Sequence, residues 1–210
     1  MELILGGTLG FKKFAIFASG LGSNALNLIS YARENADKFS IEVLVTDKED
    51  APVIKEAKKL GVAVEVIPYI KTEYPKLDKK NHEEKILEAL KKYNISWIIL
   101  AGYMRILSSD FLSNFYDISF KRNRVLNIHP SLLPDFPGKD GYGDAFAAGV
   151  PVTGVTVHFV DSGVDAGPIF LQRSFERHES DSLEDFISRG KKIEHELYRE
   201  AVKLVIEDRI

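Results

Sequence analysis

The sequence predicts an α/β fold, in which helices cover both faces of a mostly parallel, twisted sheet. In the first half of the chain, apolar runs of five or six residues alternate with longer stretches of amphipathic helical spacing. A glycine-rich turn follows the first apolar run, where Rossmann-like sheets bind phosphate groups. From residue 125 the alternation changes, and the pattern there predicts antiparallel strands in the C-terminal half.

Four apolar runs are predicted to form the parallel strands: residues 14–18, 41–45, 62–67 and 97–101. They are rich in Ile, Val and Phe, and turn residues bound them. Helices are predicted between them: residues 23–33, 51–60 and about 77–93. Because strands and helices alternate, the strands should pair in parallel and bind ligands beyond their carboxyl ends.

The second half begins with an apolar run at residue 125, followed by three prolines and glycine-rich turns. Strands are predicted at 152–160 and 169–176, and a helix closes the chain. Its candidate buried positions are Ile187, Ile193, Leu197, Ala201 and Val205. We expect a single domain, 1–210, built on one continuous sheet, with an N-terminal phosphate-binding lobe (12–110) and a C-terminal lobe (111–210).

Composition excludes several classes of protein. The 210 residues include 28 Lys and Arg against 31 Asp and Glu, a net charge of −3, which argues against a general nucleic-acid binder. The chain has no cysteine, so disulfides, thiolate zinc sites and cysteine nucleophiles are excluded. No segment approaches the roughly 18 apolar residues of a membrane span. We expect a cytoplasmic protein that binds no membrane, either a monomer or a homodimer.

The segment SGLGSN, residues 19–24, joins the first predicted strand to the first helix. Its glycines let the backbone approach a ligand closely, and the free N–H groups of a helix N-terminus favour phosphate. Ser23 and Asn24 can donate from their side chains or cap the helix. The segment also reads G-x-G-x-x-A, and Asp47 ends the second strand where a ribose-binding acid could lie. A monophosphate site, a nicotinamide site and a plain capped turn all fit.

The segment NIHPSLLP, residues 127–134, ends another strand. Asn127 and His129 are two residues apart, so their side chains project to the same side. An amide donor beside an imidazole suits acyl transfer, since the amide can bind a developing oxyanion and the imidazole can move a proton. For an arbitrary N-x-H motif, the commoner arrangement is a histidine that caps the strand and an asparagine that bonds loop backbone.

Two aspartates, Asp161 and Asp165, lie in the turn HFVDSGVDAGP of residues 158–168. An aspartate near His129 would stabilise its imidazolium form, although Asp and Gly are also ordinary turn residues. His158 could join these groups around a metal ion. Because no compact zinc-motif spacing is present, we expect no metal.

Weaker signals lie elsewhere. Arg105, in the segment AGYMRIL of residues 101–107, follows the fourth strand, where an arginine is unusual for packing alone. The third helix begins with a basic stretch: Lys76, Lys79, Lys80 and His82. Such a run is typical of a solvated face. Glu194 and His195 in the last helix are expected to be exposed.

Together these segments resemble the folate-dependent formyltransferases of purine synthesis, over about residues 12–207. The matching segments are SGLGSN (19–24), LAGYMRILS (100–108), NIHPSLLPDFPG (127–138), GVTVHFVDSGVDAGPI (154–169) and EHELY (194–198). The resemblance implies the formyltransferase fold and transfer of a formyl group from 10-formyltetrahydrofolate, as co-substrate, to the amine of glycinamide ribonucleotide, without a metal.

The resemblance also implies roles for individual residues. Asn127, His129 and Asp165 match the catalytic residues. Ribonucleotide binding is implied for Gly22, Ser23, Asn24 and Glu194. Folate binding is implied for Lys79, Met104, Arg105, Ile106, Leu107, Asn127, Asp161, Ser162, Gly163, Val164 and Asp165.

The chain departs from the family pattern at three places. Residues 138–145 read GKDGYGDA where many relatives have a histidine pair. The segment around 116–124 is longer than in short relatives and is predicted to be a surface excursion. Lys79 stands where the family often has an arginine. Lysine keeps the positive charge, but it cannot donate the two parallel hydrogen bonds of a guanidinium.

Other functions remain as alternatives. A formyltetrahydrofolate deformylase would pass the formyl group to water with the same catalytic set, but such enzymes resemble this chain with an added N-terminal domain. Methionyl-tRNA formyltransferases carry a further C-terminal domain. A nicotinamide-dependent oxidoreductase, or a protein that only binds a nucleotide monophosphate, would leave NIHPSLLP and VDAGP unexplained.

Overall fold

The computed structural model describes residues 10–210. Within them the strands are β1 Lys12–Phe17, β2 Phe39–Thr46, β3 Ala63–Val66, β4 Trp97–Leu100, β5 Tyr116–Asp117, β6 Arg122–Asn123, β7 Val125–His129, β8 Val152–Phe159 and β9 Ile169–Glu176. The helices are α1 Ser23–Glu34, α2 Val53–Lys59, α3 Pro75–Lys91, α4 Ser109–Ser113, α5 Gly141–Ala147 and α6 Leu183–Ile206.

Seven strands form one sheet in the order β3-β2-β1-β4-β7-β8-β9. The first five pair in parallel, and β8 and β9 pair antiparallel to their neighbours. The predicted fold class is therefore confirmed. The chain builds outward from β1 to β3 and then returns to the other side of β1 with β4. This reversal opens a crevice at the carboxyl ends of β1 and β4, the place where such sheets bind ligands.

The two faces of the sheet are packed separately, because neighbouring side chains of a strand point to opposite faces. On one face Phe14 and Ile16 of β1 pack in a cluster with Leu28 of α1 and Tyr198 of α6. On the other face Phe17 packs in a cluster with residues of α3 and α4. A third, smaller cluster joins α5 to β9 and α6 through Tyr142, Ala145, Phe175 and Phe186.

One local prediction is wrong. The glycine-rich stretch predicted as turns contains α5, which begins where the Asp140 side chain accepts a hydrogen bond from Gly143 N at 3.1 Å. The excursion around 116–124 is the β5–β6 hairpin, and its residues are exposed or partly exposed, as expected. Its Phe120 ring stacks on Trp97, with 5.8 Å between the ring centroids.

The face of α6 that packs on the sheet is also wider than the apolar spacing predicts. Leu197, Ala201 and Val205 are buried, as expected. Ile187 and Ile193 are only partly buried. The other buried positions of the helix, which the pattern misses, are Phe186, Gly190, Glu194, Tyr198 and Val202. Glu194 is therefore not the exposed helix residue that was expected.

No helix within residues 10–210 combines the length and the apolar character needed to cross a membrane.

Replacing Phe186 by alanine tests how α5 is held. Phe186 is fully buried, and its ring contacts Tyr142, Phe146 and Phe175. We expect Phe186→Ala to lower the free energy of unfolding by about 3–5 kcal/mol, through lost burial and the cavity left behind. Denaturant unfolding measures it. The half-exposed Phe11 supplies the control, and Phe11→Ala should change stability by about 0.5 kcal/mol or less. Equal losses of unfolding free energy in the two variants would contradict the inference that Phe186 holds α5 in place.

Candidate active site

The loops that follow β1 and β4 meet at the carboxyl edge of the sheet. Ser19 N donates to the Gly102 carbonyl oxygen at 3.1 Å, so the segment 19–22 lies directly against the segment that follows β4. β7 is the next strand in the sheet and ends at His129. The chemical groups singled out in the sequence therefore converge on the edge that the fold class predicts.

Gly22 gives the loop after β1 its shape. It is the residue before α1 and has φ +70°, a left-handed conformation that favours glycine. A Cβ atom there would also lie 2.2 Å from a methyl carbon of Val53. No side chain caps α1, so the N–H groups of its first turn face outward at the positive end of the helix dipole. This is an anion-binding arrangement.

Asn24, the second residue of α1, is buried and tied to α6. Its Nδ2 donates to Glu194 Oε2, and Glu194 Oε1 accepts from the Tyr142 hydroxyl at 2.6 Å. Asn24 Oδ1 is buried and has no hydrogen-bond partner within residues 10–210. The first turn of α1 is thus anchored to α6 through a buried carboxylate.

Asn127 and His129 lie on β7 with their side chains on the same side, as predicted. His129 is 3% exposed. Its Nε2 donates to the Phe136 carbonyl oxygen at 2.7 Å, and its Nδ1 lies 3.3 Å from Asp165 Oδ2. Asn127 Nδ2 lies 3.4 Å from Asp165 Oδ1. The structure therefore brings the three predicted catalytic residues together.

Asp165 is the centre of this cluster, and the backbone is bent to place it there. Its φ is +49°, unusual for a residue other than glycine. Besides His129 and Asn127, its carboxylate accepts from Gly138 N at 2.9 Å and lies 3.5 Å from His158 Nε2. Burial alone would raise the pKa of Asp165, but the hydrogen bonds from His158 and Gly138 and the nearby His129 outweigh burial and lower it.

The neighbours of His129 present acceptors to both of its ring nitrogens. A carbonyl oxygen and an ionised carboxylate both only accept hydrogen bonds. Nε2 faces the Phe136 carbonyl oxygen, and Nδ1 faces the Asp165 carboxylate. His129 is thus held between two hydrogen-bond acceptors.

His158 is a fourth member of the cluster, which the sequence suggested only as a metal ligand. It lies opposite Asn127 in the β7–β8 register. Its Nδ1 is 3.0 Å from the Phe159 carbonyl oxygen, and its Nε2 is 3.1 Å from Asn127 Nδ2. The His158 ring therefore lies between the Phe159 carbonyl oxygen, the Asn127 amide and the Asp165 carboxylate. No group of three or more metal-ligating side chains in the described part of the chain could hold a metal ion.

Asp47 and Arg105 form an ion pair at the other side of the crevice. Arg105 Nε lies 2.7 Å from Asp47 Oδ2, and its guanidinium covers the Tyr69 ring at 3.9 Å from the ring centroid. Asp47 Oδ1 accepts from the Ser19 hydroxyl at 2.6 Å. Asp47 is therefore occupied in joining the two loops, and the ribose-binding role that a nicotinamide site would give it is not supported.

The other residues predicted from the sequence differ in their exposure and in their hydrogen bonds. Met104, Ile106 and Val164 are at least half exposed, although they are apolar, while Leu107 is buried. Asp161 Oδ1 accepts from Gly163 N at 2.9 Å, which shapes the loop that carries Ser162. The side chain of Lys79, on α3, makes no hydrogen bond or ion pair within residues 10–210, so its role stays a prediction.

Comparisons with known proteins identify the family of the chain. A family model described as formyl transferase matches residues 12–202. The phosphoribosylglycinamide formyltransferase of Bacillus subtilis (strain 168) is 40% identical over 196 residues, covering 93% of this chain and 95% of that protein. The trifunctional purine biosynthetic protein adenosine-3 of Bos taurus is 36% identical over 195 residues, 92% of this chain but 18% of that protein. The structure of glycinamide ribonucleotide transformylase 1 from Symbiobacterium toebii matches with a TM-score of 0.85 at 34% identity, covering 100% of this chain and 93% of that one.

Replacing Asp165 by asparagine tests its charge. Because the folded pKa of Asp165 lies below its usual value, the carboxylate stabilises the fold above the unfolded pKa of about 3.9. That contribution is lost as the pH falls through the lower folded pKa. We expect Asp165→Asn to lower the Tm by several degrees at pH 7, and the difference from the unmodified protein to shrink below about pH 4.

Thermal unfolding at pH 7, 5 and 3.5 measures the difference. The exposed Asp50 provides a matched control, since Asp50→Asn should leave the Tm nearly unchanged at each pH. A difference for Asp165→Asn that grows on acidification would show the opposite sign of linkage.

Proposed function

Because the chain belongs to the formyl transferase family, we propose that it transfers a formyl group from 10-formyltetrahydrofolate to the primary amine of glycinamide ribonucleotide. The product is formylglycinamide ribonucleotide, and the reaction is a step of purine biosynthesis. The observation that supports this most strongly is the convergence of Asn127, His129 and Asp165 at one edge of the sheet. The loop 19–24, which we call the phosphate loop because we propose that it binds the phosphate, lies at the same edge. Cytoplasmic location and the choice between monomer and homodimer stay predictions.

In the proposed reaction the substrate amine attacks the formyl carbon and builds a tetrahedral oxyanion. Asn127 and protonated His129 supply the N–H donors to that oxygen, which is the largest electrostatic contribution in acyl transfer. The amine loses a proton, the bond between the formyl carbon and the folate nitrogen breaks, and that nitrogen gains a proton. Asp165 keeps His129 charged and receives or returns the proton. Holding two substrates together supplies much of the remaining rate.

The hydrogen bond between His129 and the Phe136 carbonyl sets one condition on this mechanism. The Nε2–H of His129 is bonded to the Phe136 carbonyl oxygen at 2.7 Å. For this N–H to reach the oxyanion, it must exchange that carbonyl for the substrate oxygen, as catalytic hydrogen bonds often do between the free and the bound enzyme. His129 Nδ1 can stay against Asp165 during the exchange, so the charge pair is kept.

The substrates are assigned to two sides of this cluster. The phosphate of the ribonucleotide is placed on the first turn of α1 at Gly22, Ser23 and Asn24, where no side chain caps the helix. The folate ring is placed against the exposed apolar side chains of Met104, Ile106 and Val164, which a planar ring would cover. Arg105, held by Asp47, then lies beside the folate.

A formyl-transfer assay tests the proposed function. Purified protein is mixed with 10-formyltetrahydrofolate or 10-formyl-dideazafolate, with and without glycinamide ribonucleotide, and the deformylated folate is followed by absorbance. We expect a signal that depends on the ribonucleotide. An equal signal without it would identify a hydrolase with the same catalytic set. No signal from folded protein in either case would contradict both functions.

Replacing His129 by alanine tests its role in the same assay. We expect His129→Ala to lower kcat by at least about 10²-fold, the low end for a general acid–base group. His178, in the loop between β9 and α6, provides the matched control, because it lies outside the cluster and His178→Ala should keep kcat within about twofold. Near-normal turnover by His129→Ala would remove His129 from the mechanism.

A further inference from the structure

Tyr142 is a buried residue of α5 whose hydroxyl reaches the substrate edge of the protein. It lies in the segment GKDGYGDA, where the chain departs from the family pattern. Its hydroxyl donates to Glu194 Oε1 at 2.6 Å. Both side chains are almost inaccessible, at 6% exposure for Tyr142 and 8% for Glu194. A buried carboxylate is costly unless donors satisfy it, so this bond is part of what allows Glu194 to be buried as an anion.

The ring of Tyr142 is held firmly enough to aim the hydroxyl. It packs edge-on against Phe186, at 6.2 Å and 84°, and against Phe175, at 6.4 Å and 62°. Gly190 of α6 gives it room, since a Cβ atom there would lie 2.4 Å from the hydroxyl oxygen. The hydroxyl therefore has one defined position over Glu194.

The direction of this hydrogen bond is also fixed. Burial, together with the nearby Glu194, raises the pKa of Tyr142 well above its usual value. The phenol therefore keeps its proton at any working pH. Since a carboxylate only accepts, Tyr142 is the donor and Glu194 the acceptor.

Glu194 in turn orients the side chain of Asn24 in the phosphate loop. Its second oxygen, Oε2, accepts from Asn24 Nδ2. Because only the amide nitrogen of Asn24 can donate to a carboxylate, the amide orientation is settled. Asn24 Oδ1 then remains as a buried acceptor with no partner within residues 10–210. Its side chain cannot bind the phosphate through that oxygen, so Asn24 contributes to phosphate binding through its backbone at the helix N-terminus.

We propose that Tyr142 is a positioning residue for the ribonucleotide: its hydroxyl orients Glu194, and Glu194 in turn orients Asn24 at the first turn of α1. This inference rests on the proposed function, in which Glu194 and Asn24 contact the ribonucleotide. Tyr142 itself touches neither substrate. It acts on the ribonucleotide side of the site and leaves the folate side, near Arg105, unaffected.

Replacing Tyr142 by phenylalanine tests this role while keeping the ring. We expect Tyr142→Phe to weaken binding of glycinamide ribonucleotide about tenfold, because a hydrogen bond to a charged group is lost. Titration calorimetry measures the Kd for the ribonucleotide alone and for 10-formyl-dideazafolate alone. The Kd for the folate should be unchanged, and kcat at saturating substrates should stay within about threefold.

The matched control is Tyr93→Phe. The Tyr93 hydroxyl also donates to a glutamate, Glu65 Oε1 at 2.9 Å, at the far edge of the sheet. This variant should lose a comparable amount of Tm and leave both Kd values unchanged. An unchanged ribonucleotide Kd in Tyr142→Phe, or equal losses for both ligands, would overturn the proposal.

A second variant tests whether Tyr142 acts through Glu194. In the Glu194→Gln background, Tyr142→Phe should weaken ribonucleotide binding by no more than about twofold, because contacting residues are not additive. The same tenfold loss in both backgrounds would overturn the proposal. If Tyr142→Phe folds poorly, Glu194→Gln alone must still raise the ribonucleotide Kd, and an unchanged Kd would overturn it.

The calorimetry separates this proposal from the proposed function. A protein that binds the ribonucleotide but transfers no formyl group would contradict the proposed function and leave the Tyr142 test intact. A protein that does not bind the ribonucleotide at all would overturn both.

Discussion

The candidate active site depends on one partly buried carboxylate, that of Asp165. It lies against His129, His158 and Asn127 and accepts from the backbone of Gly138, so it joins β7, β8 and the loop that follows β7. The backbone at Asp165 takes a positive φ to make these contacts, a local cost that the surrounding contacts must offset. Because these donors outweigh the effect of burial, the pKa of Asp165 lies below its usual value, and a charged carboxylate lies beside the His129 ring.

A second carboxylate, that of Asp47, plays a corresponding part at the switch point of the sheet. One of its oxygens accepts from Ser19 in the loop after β1, and the other pairs with Arg105 in the loop after β4. The Asp47 carboxylate therefore links the loop proposed to hold the phosphate to the loop proposed to hold the folate. This explains why a residue that could have indicated a nicotinamide site serves a different purpose. The two substrates of a transfer reaction must be held at a fixed separation, and a carboxylate bonded to both loops helps to fix that separation.

The fold class and the shared side of Asn127 and His129 could be predicted from the sequence, because both depend on local patterns. Strand and helix alternation predicts the parallel half of the sheet, and Asn127 and His129 are two apart on a strand end. The role of His158 could not be predicted, since it follows from the antiparallel register that sets it opposite Asn127. The same holds for Glu194, whose burial requires partners from α1 and α5 that are far away in sequence. The helix α5 was missed because its glycines suggest turns, while its packing through Tyr142 and Ala145 stabilises a helix.

The central claim is that His129 and Asp165 act as a single unit. It is tested most directly by measuring kcat for His129→Ala, Asp165→Ala and the double variant at saturating substrates. If the carboxylate works through the imidazole, the double variant should be no more than about threefold slower than His129→Ala, because residues that act together lose their effects together. If the two losses multiply instead, the groups act independently, and the arrangement of the site around the His129–Asp165 pair would be contradicted.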